Sequence, residues 1–242
     1  MAQFDLEIAG VCGRVKGLFD STPHHFSRYL SRIAPEFTVT VSPDDLRFEQ
    51  ADADAEAAEE GFRQRNFPDP FLERAAIQRK FAEYLLRQDV LLVHGSTVAV
   101  DGQAYLFTAR SGTGKSTHTR LWREVFGSRA VMINDDKPFL RITPHGITAY
   151  GSPWSGKHGL DTNTGAPLKG ICLLERSNEN EIRPAQPEEL ADLLRGFRPR
   201  TPEQREQYDT LLTALVSNVP LWHLDCNKNP KAAETAYAAM SE

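Results

Sequence analysis

The sequence predicts an α/β fold with some α+β character, on three observations. From residue 68 onward, short apolar strands alternate with amphipathic helices. A glycine-rich loop lies between one such strand and the helix that follows it, at residues 106–122. The first 66 residues carry a shorter pattern of strands and helices of their own. The expectation is a core of mixed β-sheet flanked by helices over residues 67–242, with a small N-terminal α+β subdomain over residues 1–66.

The elements follow in chain order. "FDLEIAG" and "FTVTV" alternate apolar and polar residues, as half-buried antiparallel strands do. Between them, Ser21 or Thr22 stands before Pro23, a capped helix start for residues 21–33. Ser42, Pro43, Asp44 and Asp45 repeat the device, with the acids at the positive end of the helix dipole. The acidic run that follows reads as a solvated helix face or loose loop, with an acidic docking surface as the other reading. Residues 68–89 set Ile77, Phe81 and Leu85 four apart with charges opposite, an amphipathic helix.

"VLLVHGSTVAVDGQAYLFTA" reads as two strands joined at Asp101-Gly102, a strong hairpin signal. The second strand feeds the glycine loop, and "STHTRLWREVFG" continues as a helix ending at Gly127. "RAVMINDDKPFLRIT" reads as an apolar strand ending in Asp135-Asp136, and a loop rich in Gly, Ser, Thr and Asn follows between strands. Helices at 186–197 and 201–219, a strand at 220–226 and a closing helix after Pro230 complete the chain.

Composition narrows the function. With 28 basic and 33 acidic residues the net charge is −5, and no long Lys/Arg cluster interrupts it, so nucleic acid is not an expected partner. Apolar runs are short and the N-terminus lacks a basic and apolar leader pattern, so neither membrane nor export is expected. Cys12, Cys172 and Cys226 show no Cys-x-x-Cys spacing and sit among apolar residues. They read as buried thiols in a reducing cytoplasm.

The chemistry lies in "ARSGTGKST". The nucleotide-binding pattern Gly-x(4)-Gly-Lys-[Ser/Thr] is present with Ala109 in place of its first glycine. Glycines let backbone N–H groups approach an anion, and the helix that begins at Lys115 turns its positive end toward it. Ser111, Gly112, Thr113, Gly114, Lys115, Ser116 and Thr117 are therefore the expected phosphate-binding segment for ATP. Lys115 would reach the β- and γ-phosphates, and Ser116 would offer a hydroxyl to Mg²⁺. Asp135 is the expected second Mg²⁺ anchor. Its neighbour Asp136 reads either as a base accepting a proton from an attacking hydroxyl or as a cap on the turn into Lys137-Pro138.

The order His94-Gly95, strand, "SGTGKS", helix, Asp135-Asp136 resembles the catalytic domain of the HPr serine kinase/phosphorylase family and, more distantly, phosphoenolpyruvate carboxykinase. The resemblance covers about residues 90–174 and implies a phosphoenolpyruvate carboxykinase-like P-loop core. It implies a catalytic place near the phosphoryl group for His94, which by itself reads as a strand-end histidine satisfied by a neighbour. It likewise implies phosphate and Mg²⁺ binding by Lys115 and Ser116, and metal binding and base from Asp135 and Asp136. The chain departs from that family after the Asp pair, where "GSPWSGKHGLDTN" stands in place of the segment that contacts the protein substrate. Trp154, Lys157 and His158 there form either a lid or acceptor-binding segment, with Lys157 meeting a phosphate, or a structural hairpin with Trp154 packed inward.

The leading expectation is an ATP- and Mg²⁺-dependent kinase. Its acceptor would be a hydroxyl on a small protein, a peptide or a small metabolite, and the protein could form a homo-oligomer. The alternative is a non-catalytic nucleotide-binding accessory protein, as in peptide maturation. Two carboxylates beside a histidine favour the enzyme, since a binder needs one metal anchor and no base.

Overall fold

A computed structural model describes residues 2–59, 61 and 63–242. The chain divides into two compact units, Met1–Tyr84 and Leu85–Glu242. The boundary expected near residue 66 lies at the other end of the long helix Asp69–Leu86, most of which belongs with the first unit.

The first unit opens with strands β1 (Gln3–Ile8) and β2 (Val11–Lys16), paired antiparallel. The chain reverses at Ala9 and Gly10, both at positive φ. Alanine is not a turn residue by type, which hid β2 from the sequence pattern. A four-residue helix α1 (Thr22–His25) and a single turn at Ser27–Tyr29 replace the longer helix expected over 21–33. Strand β3 (Phe37–Thr40) adds to β2 in parallel rather than antiparallel fashion. Helices α2 (Pro43–Glu59) and α3 (Asp69–Leu86) complete the unit. Glu73 of α3 is fully buried and accepts hydrogen bonds from the Leu18 amide and the Thr22 hydroxyl. The Phe37 ring lies 3.8 Å, centre to centre, from Tyr84 and 4.9 Å from Phe81.

The second unit is a mixed sheet flanked by helices, as expected. Its elements are β4 (Val90–Leu92), β5 (Ser96–Val100), β6 (Gln103–Thr108), α4 (Lys115–Phe126), β7 (Ala130–Asn134), β8 (Phe139–Thr143), β9 (Gly146–Tyr150), β10 (Gly165–Arg176), β11 (Glu181–Pro184), α5 (Pro187–Leu190), α6 (Pro202–Asn218), β12 (Leu221–Cys226) and α7 (Lys231–Met240). Strand order runs β4-β8-β9-β10-β6-β5-β7, with β12 on β10 and β11 on β12. The twelve-residue β10 joins the two parts: its first residues pair antiparallel with β9, its later ones parallel with β6 and β12.

One segment read as continuous divides in space. "VLLVHGSTVAV" breaks at His94-Gly95, so that β4 pairs with β8 while β5 turns back on β6. A Cβ on Gly95 would stand 2.9 Å from the Phe107 carbonyl oxygen, so the break needs glycine. The strand in "RAVMINDDKPFLRIT" ends at the Asp pair as expected: β7 pairs with β5, and the residues after the pair form β8, which pairs with β4. The expected helix over 186–197 stops at Leu190, because the Leu193 and Leu194 carbonyls accept from the Thr108 hydroxyl and the His94 amide. The Asp101-Gly102 hairpin forms as expected, both residues at positive φ.

Helices α4 and α7 pack over β5, β6, β10 and β12 around fully buried Trp122, whose ring lies 4.8 Å from Tyr105 and 5.2 Å from Phe107. The three cysteines are unbridged. Among the described residues no helix is long and apolar enough to cross a membrane. Trp122→Ala should cost about 3–5 kcal/mol in a denaturant melt, the range for emptying an aromatic core site; a cost below about 1 kcal/mol would contradict this packing.

Candidate nucleotide site

Topology brings the candidate residues together. Strands β6, β10 and β12 are mutually parallel, and β5 runs against both β6 and β7, so the carboxyl ends of β6, β7, β10 and β12 meet the start of β5 at one edge. Open α/β sheets bind ligands outside that edge.

The glycine loop leaves β6 there. Gly112 and Gly114 have φ of +77° and +132°, conformations closed to most side chains, and Gly114 stands immediately before α4. Lys115 begins α4, its Nζ donating to the Ala109 carbonyl at 3.1 Å, so the side chain folds over the loop it closes. Burial lowers its pKa, partly offset by Asp136 and Asp135. Ser116 and Thr117 follow on the first turn of the helix.

Asp135 is 5% exposed and accepts from Ser96 Oγ at 2.6 Å. Ser96 Oγ also lies 2.9 Å from Thr119 Oγ1 on α4, so the carboxylate is tied to the helix that carries the loop lysine. Asp136 is more open, its Oδ1 3.5 Å from His94 Nε2. Burial pushes the Asp136 pKa up, with Lys137 and Lys115 pulling it back. Burial, with the nearby lysine charges, holds His94 down to about 3. The imidazole is neutral at ordinary pH, and its contact with Asp136 is not an ion pair.

Two residues absent from the sequence reading organise this arrangement. Asn134 is fully buried, and its Oδ1 accepts from the Asp136 and Lys137 amides at 2.8 and 2.6 Å. Its Nδ2 donates to the Ser152 carbonyl and hydroxyl at 2.8 and 3.0 Å. The signal was an Asn four residues before Pro138, a turn composition. Arg176, at the end of β10, donates from Nε to the Thr113 carbonyl at 2.9 Å and from Nη2 to that of Gly112. Its partner across the fold has no trace in local sequence.

The segment 151–164 crosses the same edge. Ser155 Oγ donates to Asp161 at 2.6 Å, and the Thr162 amide and hydroxyl donate to the Ile133 and Met132 carbonyls. A Cβ on Gly156 would lie 3.3 Å from that of Asp136. Lys157 and His158 are exposed in the single turn Gly156–His158. Trp154 is half-buried, its ring 6.3 Å from Phe139. It is neither a core residue nor a free one.

Two cavities flank Arg176. One, of about 650 Å³, is lined by Thr113, Thr117, Leu174, Asn178, Asn227 and Lys228 among others. The second, of about 590 Å³, lies toward Arg110, Ser111, Glu175 and Leu193.

No protein-family model matches the sequence, and no curated protein matches it significantly. Among solved structures, the HPr(Ser) kinase/phosphatase from Coxiella burnetii is similar at 11% identity, over 62% of this chain and 99% of that one, with a TM-score of 0.38.

Asn134→Ala should destabilise the protein by about 1–3 kcal/mol, the cost of leaving turn amides unpaired; an unchanged melting temperature would refute its role as the turn's anchor. His94 is held below its unfolded value of 6.5, so its contribution to stability is complete above pH 6.5 and declines as pH falls toward about 3. The imidazole resonances of His94 should therefore not titrate between pH 8 and 5, and a midpoint near 6.5 would contradict the buried placement.

Proposed function

We propose that this protein is an ATP- and Mg²⁺-dependent phosphotransferase whose acceptor is a hydroxyl group on a protein, peptide or small molecule. The observation that carries the reading is the Asp136 carboxylate beside a neutral His94, at the sheet edge where the glycine loop ends and α4 begins.

Each part has a chemical task. The loop backbone and the start of α4 receive the phosphates, and Lys115 leaves the Ala109 carbonyl for the β- and γ-oxygens. Arg176 holds the Gly112 and Thr113 carbonyls, which fixes the loop that presents its amides to the anion. The 650 Å³ cavity suits the nucleoside, with Thr117 and Leu174 on its walls. Ser116 and Asp135 form an all-oxygen donor pair of the kind a hard cation takes, and fit Mg²⁺. Mg²⁺ there would neutralise charge on the triphosphate. Asp136, its proton affinity raised by burial, accepts the proton of the attacking hydroxyl, and His94, uncharged, leaves it free to do so. Lys157, exposed beside Gly156, is available to an acceptor or to the transferring phosphoryl oxygens.

ATP with Mg²⁺ should raise the melting temperature, since a ligand at a hundredfold excess over Kd stabilises the fold by about 2.7 kcal/mol. Lys115→Ala should abolish most of that shift. No shift with any nucleoside triphosphate would remove the nucleotide-binding reading.

Asp136→Asn should keep the ATP shift yet lower transfer of γ-labelled phosphate to protein or metabolite in a cell extract by about 10²- to 10⁴-fold. ATP binding without any labelled acceptor would favour the accessory nucleotide-binding protein instead.

A further inference from the structure

Three polar side chains from three elements meet in the dry layer beside the glycine loop. Ser96 opens β5, Asp135 comes directly after β7, and Thr119 stands just past the first turn of α4. They are 0%, 5% and 1% exposed. Each hydroxyl brings one proton, and here both protons can be assigned. A carboxylate only accepts, so the Ser96 hydrogen goes to Asp135 Oδ1 at 2.6 Å, in the range of strong, charge-assisted bonds. Ser96 Oγ therefore accepts from Thr119 Oγ1 at 2.9 Å. The Lys115 and Ser116 carbonyls stand farther from Thr119 Oγ1, at 3.4 Å each. The chain of donors runs one way, from Thr119 to Ser96 to Asp135.

One carboxylate oxygen is left over. Among the described residues the Asp135 carboxylate makes this single hydrogen bond, through Oδ1, and no ion pair, so Oδ2 has no partner. A buried carboxylate with one oxygen tied and the other empty is under-satisfied until a cation or a donor reaches it. Thr119 also decides what lies nearby. Residues three apart on a helix share a face, so Ser116 neighbours Thr119 on the side toward the loop. Joining Asp135 to Thr119 through Ser96 brings the carboxylate to the face of α4 that carries the Ser116 hydroxyl.

We propose that Ser96 and Thr119 are positioning residues for Mg²⁺, their two hydroxyls holding Asp135 Oδ1 so that Oδ2 stays available to the ion that Ser116 shares. The inference rests on the phosphotransferase reading, because it concerns the cation of that site. Neither hydroxyl touches the ion. Ser96 fixes the direction of the carboxylate, and Thr119 fixes the direction of Ser96. Without the Ser96 hydroxyl, Oδ1 would be unpaired in a dry place, which disfavours the charged form that a cation needs. Groups that hydrogen-bond a metal's ligands in this way ordinarily account for about 10- to 100-fold in metal affinity.

The test measures ATP affinity of the full chain by calorimetry, once in Mg²⁺ and once in EDTA, and takes the ratio of the two Kd values as the enhancement due to Mg²⁺. Ser96→Ala should lower that enhancement by about tenfold or more, and Thr119→Val by about threefold or more. Thr119→Ser, which keeps the hydroxyl, should retain it. ATP affinity in EDTA should be unchanged in all three, an outcome that a merely structural role would not give. Thr119→Val preserves the shape of the side chain, so it decides the matter if Ser96→Ala does not fold. Wild-type enhancement in these two variants, or an equal loss of ATP affinity with and without Mg²⁺, would overturn this proposal alone. ATP binding that Mg²⁺ does not strengthen in the unaltered protein, or no ATP binding at all, would remove the phosphotransferase reading and this proposal with it.

Discussion

The buried amide of Asn134 is the interaction on which the candidate site depends. A strand that ends in two acids and a lysine would splay as it left the sheet. The Asn134 oxygen instead gathers the Asp136 and Lys137 amides into a turn, and its nitrogen fixes Ser152. Ser152 in turn donates to the Lys137 carbonyl and accepts from the Trp154 amide. One side chain thereby aims Asp135 toward Ser96 and α4, aims Asp136 toward His94, and ties both to segment 151–164. These bonds lie in a dry environment, where satisfied polar networks are worth most and broken ones cost most.

Burial and neighbouring charge oppose each other at Lys115 and Asp136, and burial prevails at both. Lys115 is lowered and Asp136 raised, although each carries the charge that should favour the other's ionised form. His94, desolvated and facing Lys137 and Lys115, is driven neutral. The consequence is a carboxylate readier to take a proton than a surface aspartate and a histidine that does not compete for it. The loop lysine is closely desolvated, so its charge acts strongly on an anion that reaches it.

Local patterns were legible wherever one residue type answers one local need. The four-residue spacing of Ile77, Phe81 and Leu85 marked a buried helix face, and all three are fully buried. Asp101-Gly102 marked a hairpin because two consecutive positive φ angles are needed there. What escaped was decided by distant partners. The helix expected over 186–197 had adequate composition, but its carbonyls at Leu193 and Leu194 are taken by Thr108 and His94, nearly a hundred residues away in sequence. The apolar run from β4 into β5 reads as one strand, yet its halves pair with different strands, because Gly95 permits a backbone approach that nothing in periodicity records.

By itself the sequence determined the fold class and the glycine-rich loop between strand and helix, and it offered Lys115, Ser116, Asp135 and Asp136 as candidates, with His94 added by the resemblance. Each depends on backbone freedom, helix polarity or side-chain type, which are local properties. Only the tertiary structure decided that Ser96 binds Asp135, that Arg176 clasps the loop, that Asn134 anchors the acidic turn, and that Thr119 lies against Ser96. The physical reason is that these contacts depend on strand order and register, set by how the whole sheet buries its apolar faces.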